Sequence, residues 1–195
     1  MQMIKKWGSC VFSFIAGVLS LALSACSGMV AVTTIAGKSS TETTKAFKVL
    51  TDNNLLTQAK EAGLQSEFMT MKVFSIILTV IATLLIVYSI IMLLKNLNVI
   101  KSDSKIFSIF GLCLIVLFLI ATIGLLVSSN VYAGAMAEHA NTVLEAVKAQ
   151  YAAMGQTIEA SASVKIGVYQ PIMLATGIVS ALAIVFFEIK NLKEN

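Results

Sequence analysis

Two uninterrupted apolar runs constrain this chain more than any other feature. Residues 73–94 (VFSIILTVIATLLIVYSIIMLL) and 106–127 (IFSIFGLCLIVLFLIATIGLLV) each hold 22 residues without a charge. Lys72 and Lys95 bracket the first, and Lys105 precedes the second. A helix rising 1.5 Å per residue needs about 20 apolar residues to cross about 30 Å of hydrocarbon. Both runs are therefore read as transmembrane helices. A third run, 168–187, ends at Glu188 and Lys190. It carries Pro171, the chain's one proline, near its start, where a missing N–H has no intrahelical acceptor to lose. Composition agrees: the 195 residues are 57% hydrophobic and 12% charged, against about 25% charged in an average soluble domain.

The N-terminal stretch has two readings. As a span, residues 10–36 are uncharged and long enough to cross with tilt. As a bacterial lipoprotein signal, Lys5 and Lys6 form the basic region, the run to Ala22 the apolar region, and Leu23-Ser24-Ala25-Cys26 resembles a lipobox cut before a lipidated Cys26. Ala16, Ser20, Ser24 and Gly28 recur every four residues, which on a helix gives one face of small side chains suited to close helix packing. Together with the apolar residues after Cys26, this favours a retained helix. The expected fold is therefore an all-α integral membrane protein, a four-helix transmembrane bundle with helical extracytoplasmic extensions. Its spans lie at about 10–36, 73–94, 106–127 and 168–187.

Lysine placement sets the expected orientation. Lys5, Lys6, Lys95, Lys101, Lys105, Lys190 and Lys193 crowd into the N-terminal tail, the 95–105 loop and the C-terminal tail. The other seven, Lys38, Lys45, Lys48, Lys60, Lys72, Lys148 and Lys165, are spread through 37–72 and 129–167. Cytoplasmic flanks are enriched in Lys and Arg, so both termini and the 95–105 loop are expected inside. Asp103, Glu188 and Glu194 fall on that side and the other seven acids outside, so the net charge of +4 belongs to the cytoplasmic flanks. Every basic residue is lysine. Without the guanidinium fork, nucleic acid is not an expected partner.

The outer segments 37–72 and 129–167 have patterns of their own. Residues 45–62 look helical, with a break and new N-cap at Asp52-Asn53-Asn54 and a C-terminal signal at Gly63, after which a helix runs from about Ser66 into the second span. Met136, Ala140, Val143, Val147, Tyr151 and Met154 form an amphipathic stripe that ends at Gly155 and is expected to pack on the 45–62 helix. Residues 158–168 alternate apolar and polar, which predicts an extended strand without an evident partner.

Catalytic equipment is sparse. The three clear spans hold no ionisable residue, and Glu188 with Lys190 reads as an interfacial pair, so the intramembrane glutamate of small multidrug exporters has no counterpart here. Cys10, Cys26 and Cys113 lie in apolar segments with no C-x-x-C, unlike the paired outer cysteines of disulfide oxidoreductases. His139, the sole histidine, has no second metal ligand nearby beyond Glu138, and no nucleophile motif assembles. The topology of two outer segments and a short inner loop resembles that of claudins and tetraspanins, without their outer-loop cysteines or Cys-Cys-Gly.

These patterns lead to the expectation of a non-enzymatic multi-pass protein of a bacterial cytoplasmic membrane. It needs no cofactor or metal and acts through protein contacts as an accessory subunit or envelope-organising protein, its partners being the bilayer and a membrane protein or a second copy. The alternatives are a subunit of an oligomeric pore or transporter, and a three-span lipoprotein lipidated at Cys26.

Overall fold

The computed structural model describes the backbone of residues 2–100 and 104–194, and the side chains of residues 7–100 and 105–189. The order is α1 (Gln2–Leu23), β1 (Ser27–Ile35), β2 (Lys38–Lys45), α2 (Lys48–Thr51), α3 (Asn53–Glu61), α4 (Gln65–Asn96), α5 (Ser104–Ala153), β3 (Ala160–Ile166) and α6 (Tyr169–Glu194). The chain is mostly helical. Among the described residues three helices, α4, α5 and α6, are long and apolar enough to cross a membrane, and the apolar stretch of α1, Trp7–Leu23, is shorter. Two compact units result: a helical unit of Met1–Leu23, Phe74–Gly124 and Pro171–Asn195, and a sheet unit of Ser24–Val73 and Leu125–Gln170.

The helical unit exposes apolar side chains that a water-soluble helix would turn inward. Ile76, Val80, Leu84 and Val87 on α4, Ile109, Val116 and Ile120 on α5, and Val179, Leu182 and Phe186 on α6 are all exposed. Bands of this kind are stable only against hydrocarbon or a partner. Inside, Leu78, Ala82, Leu85, Ile115, Phe118, Met173 and Ile184 are buried. Glycines mark the close approaches. A Cβ on Gly17 of α1 would meet Ile86 at 2.6 Å and the Ala82 carbonyl of α4 at 2.7 Å. Gly8 of α1 lies against the Phe187 ring of α6, which also stacks on Phe12 at 6.3 Å. Gly111 and Gly124 of α5 lie against Tyr88 and Phe74 of α4, and Gly177 of α6 lies against Phe118 of α5. Small residues let backbones approach in this way where no hydrophobic effect separates helix from lipid.

The sheet unit corrects the all-α expectation. Its three strands are antiparallel in the order β2-β1-β3. The expected 10–36 span also fails as one helix: α1 stops at Leu23, and 27–35 are strand. Val30, Val32, Thr33, Thr34 and Ile35 are β-branched, stiff at χ1 and suited to a pleated surface. Apolarity alone did not reveal that change of conformation. The small-residue face breaks with it. Ala16 and Ser20 are buried on α1, whereas Ser24 lies in a turn and Gly28 in β1, where an added Cβ would stand 2.9 Å from the Ala46 Cα. The strand at 160–166 finds its partner in β1, within the segment read as helix.

Other local signals match the structure. Asp52 caps α3, its carboxylate accepting from the Asn54 N–H at 2.9 Å. Gly63, at φ +72°, lets Gly63 N–H reach the Lys60 carbonyl and Leu64 N–H the Ala59 carbonyl, closing the helix end in a left-handed turn that a Cβ disfavours. The same pair of bonds ends α5 at Gly155. The stripe on α5 differs from expectation. Met136, Ala140 and Val147 are half-buried, but Val143, Tyr151 and Met154 are exposed, and the buried positions are Tyr132, Ala133 and Leu144. Phe68 of α4 packs edge-on against Tyr132 at 5.5 Å, which shifts the packed face of α5 away from the stripe. The orientation reading leans on Lys5, Lys6, Lys101, Lys190, Lys193, Asp103 and Glu194, whose side chains lie outside the described residues.

Candidate functional site

The sheet unit presents two edges that differ in chemistry. Ala36 and Gly37, at φ +51° and +77°, make the two-residue turn between β1 and β2, a pairing typical of tight hairpins whose twist matches the strands. Hydrogen-bond direction alternates along a strand. Ala36 N–H bonds to the Glu159 carbonyl at 2.8 Å and Gly167 N–H to the Gly28 carbonyl at 2.8 Å, so even-numbered residues of β1 address β3 and odd-numbered ones address β2. From the register Thr33↔Ser40 and Ala31↔Glu42, Lys38, Ser40, Glu42 and Thr44 bond inward to β1. Ser39, Thr41 and Thr43 direct their N–H and C=O groups away from the sheet.

The β3 edge is occupied. Asn141 of α5 accepts from Ala162 N–H at 2.9 Å and donates to the Ala162 carbonyl at 2.9 Å, while also donating to the Ala137 carbonyl one turn back. A side-chain amide thus stands where a fourth strand would bond. Among the described residues the β2 edge has only β1 as a sheet neighbour, and all residues of β2 except Thr44 are exposed. Sheet edges of this length are usually shortened, charged or covered; this one is polar, with charges at Lys38, Glu42 and Lys45. Beside the hairpin turn lies a cleft of about 390 Å³ lined by Thr34, Gly37, Lys148, Ile158, Glu159, Ala160 and Ser161. Its Lys148 ammonium is paired with Glu145 at 2.7 Å. Nothing in the sequence pointed to the β2 edge, because Lys38–Lys45 lacks apolar alternation; the β-branched Thr41, Thr43 and Thr44 were its only strand signal.

The helical unit holds a second feature. Glu188 is fully buried and accepts a hydrogen bond from the Tyr88 hydroxyl at 3.1 Å. One turn of α4 presents both Tyr88 and Ser89. The Ser89 hydroxyl donates to the Cys10 carbonyl at 2.8 Å while the Cys10 thiol donates to the Ser89 carbonyl at 3.1 Å. These residues border an apolar groove of about 300 Å³ with Val11, Phe14, Ile90 and Leu93. The hydroxyls of Ser9, Ser13 and Ser20, all buried on α1, have no partner among the described residues. Lys95 sits 5.4 Å from the Phe107 ring centre.

The other sequence candidates scatter. Cys26 is half-buried between α1 and β1, its carbonyl accepting from Ala46 N–H at 3.0 Å. His139 is exposed on α5. Among the described residues no three His, Cys, Asp or Glu side chains stand together as a metal set.

Three apolar helices and a small sheet are compatible with a multi-pass membrane protein. No protein-family model matches the chain, and no curated protein and no solved structure shows significant similarity to it.

Proposed function

We propose that this chain is a non-enzymatic multi-pass membrane protein that acts through protein contacts, as an accessory subunit or an organiser of the cell envelope. In this reading α1, α4, α5 and α6 form a four-helix bundle in a bacterial cytoplasmic membrane, both termini are cytoplasmic, and the sheet unit faces outward. The contacts between α1 and α4, α1 and α6, α4 and α5, and α5 and α6 support the bundle. The single observation that carries the functional reading is the asymmetry of the sheet: Asn141 closes the β3 edge, while Ser39, Thr41 and Thr43 leave the β2 edge open for strand addition. A photoreactive amino acid at Thr41 or Thr43 in living cells should give discrete protein adducts. The comparison is the same label at Gln150, which is exposed on α5. Equal, diffuse labelling at both places would sink the reading.

The buried Glu188 with Tyr88 favours a second reading, a subunit of an oligomeric transporter, since an ionisable residue inside a span is costly to keep without a use. Reconstituted liposomes separate the two. Proton or cation flux that disappears with Glu188→Gln supports transport, and silence in the wild-type protein removes it.

A further inference from the structure

We infer that the open β2 edge pairs with β2 of a second copy of this chain, antiparallel, with Lys38 opposite Glu42 of the second copy and Ser40 opposite its own counterpart. This rests on the contact reading above and names its partner. The argument begins with backbone parity. In an antiparallel ladder two residues directly opposite both turn their N–H and C=O groups toward each other or both away. Ser39, Thr41 and Thr43 are the residues that turn outward, so in any self-pairing an odd-numbered residue must face an odd-numbered one. That removes every register in which odd meets even, including the one that would overlap all eight residues from Lys38 to Lys45 and set those two lysines against each other.

Charge then chooses among the registers left. Placing Glu42 opposite Glu42 of the second copy sets two carboxylates face to face, and placing Lys38 opposite Lys38 does the same for ammonium groups; both are unfavourable. With Thr41 opposite Thr41, no charged residue directly faces an opposite charge. With Ser40 opposite Ser40, Lys38 faces Glu42 of the second copy and, by the two-fold axis, Glu42 faces Lys38. Ser39 and Thr41 of the second copy then exchange backbone hydrogen bonds, as do Thr41 and Ser39. Lys38, Ser40 and Glu42 all fall in non-hydrogen-bonded positions, where side chains come closest. All three are exposed, and they lie on one face of the strand, so the two ion pairs flank the symmetric Ser40 pair. The spacing Lys-x-x-x-Glu in 38–42 is thus self-complementary in a register that the hairpin's own hydrogen bonding permits. Asn141 occupies the opposite edge at Ala162, which leaves β2 as the edge for two copies to join rather than for a growing ribbon of sheets.

Cysteine substitution in the full-length membrane protein tests this, in a Cys113→Ala background because Cys113 is exposed. At a non-hydrogen-bonded pair the Cα atoms stand about 4.5 Å apart, within the range a disulfide spans. Ser40→Cys should therefore form a disulfide dimer on mild oxidation, several-fold above Ser39→Cys and Thr43→Cys. Adding Glu42→Lys should abolish that dimer, and adding Lys38→Glu to it should restore it, since the charges are then exchanged. Crosslinking that peaks at Thr41→Cys, that is equal at all positions, or that survives Glu42→Lys overturns the inference. Absence of any dimer, with discrete heterologous adducts still formed at Thr41, overturns self-pairing while the contact reading stands. Absence of both overturns the two together.

Discussion

The Tyr88 hydroxyl and the Glu188 carboxylate meet at 3.1 Å although 100 residues separate them in the chain. The bond joins α4 to α6 inside the helical unit, and Gly111 of α5 makes room for it, since a Cβ there would run into the Tyr88 hydroxyl. Removing one partner of a buried hydrogen bond costs about 1–3 kcal/mol. Tyr88→Phe is expected to lower stability by about 2 kcal/mol and Gly111→Ala by about 1–3 kcal/mol through overpacking. The double variant should be less destabilised than the two effects summed, because removing the hydroxyl relieves part of the overlap. Thermal unfolding in mild detergent measures the coupling, and strict additivity would refute the shared seat.

Gly17 fixes the approach of α1 to α4. The nearest atoms are the Ala82 carbonyl and the Ile86 side chain, and a backbone atom cannot swing aside. Gly17→Ile should therefore loosen α1 from α4 far more than Gly134→Ile disturbs α5, where an added Cβ meets nothing within 4 Å. The readout is proteolysis between α1 and β1, expected to accelerate for Gly17→Ile alone.

Asn141→Leu keeps the side-chain size and removes three hydrogen bonds. With the Ala162 N–H and carbonyl left unpaired, the expected loss is about 2–4 kcal/mol. Amide exchange at Ala162 should speed up sharply, whereas Gly167, bonded to the Gly28 carbonyl, should change less. Unaltered exchange at Ala162 would show that the amide closes nothing.

The hairpin turn can be improved. Ala36 holds a positive φ that costs a Cβ-bearing residue about 1 kcal/mol, whereas Asn tolerates it and Asn-Gly is the favoured pair for such a turn. Ala36→Asn is expected to stabilise the sheet unit by about 0.5–1 kcal/mol. Scanning calorimetry checks the sign, and a lower melting temperature would contradict the turn assignment.

Much of the fold was legible because long apolar helices leave plain marks: uncharged runs at 73–94 and 106–127, a cap at Asp52, helix ends at Gly63 and Gly155. The sheet was half legible. Alternation from Ile158 to Val168 signalled a strand, but its partner β1 hid in an apolar stretch continuous with α1, where hydropathy does not separate helix from strand and only the clustered β-branching of Val30 to Ile35 does. The burial of Glu188 was not legible for a related reason. Its place at the end of an apolar run suggested the interface, and its bond to Tyr88 is a contact between distant segments that no local pattern encodes. The β2 edge was invisible for want of apolar residues to mark it.

Neither unit is a continuous piece of chain. The backbone passes from one to the other four times, and three of those passages, at 73–74, 124–125 and 170–171, fall inside the helices α4, α5 and α6. A peptide cut from 24–73 carries β1 and β2 but loses β3, and one cut from 125–170 carries β3 with nothing to pair against. Antibodies raised against either fragment alone will therefore favour unpaired strands over the assembled surface, and epitopes of the native sheet will be found only with the whole protein in lipid or detergent.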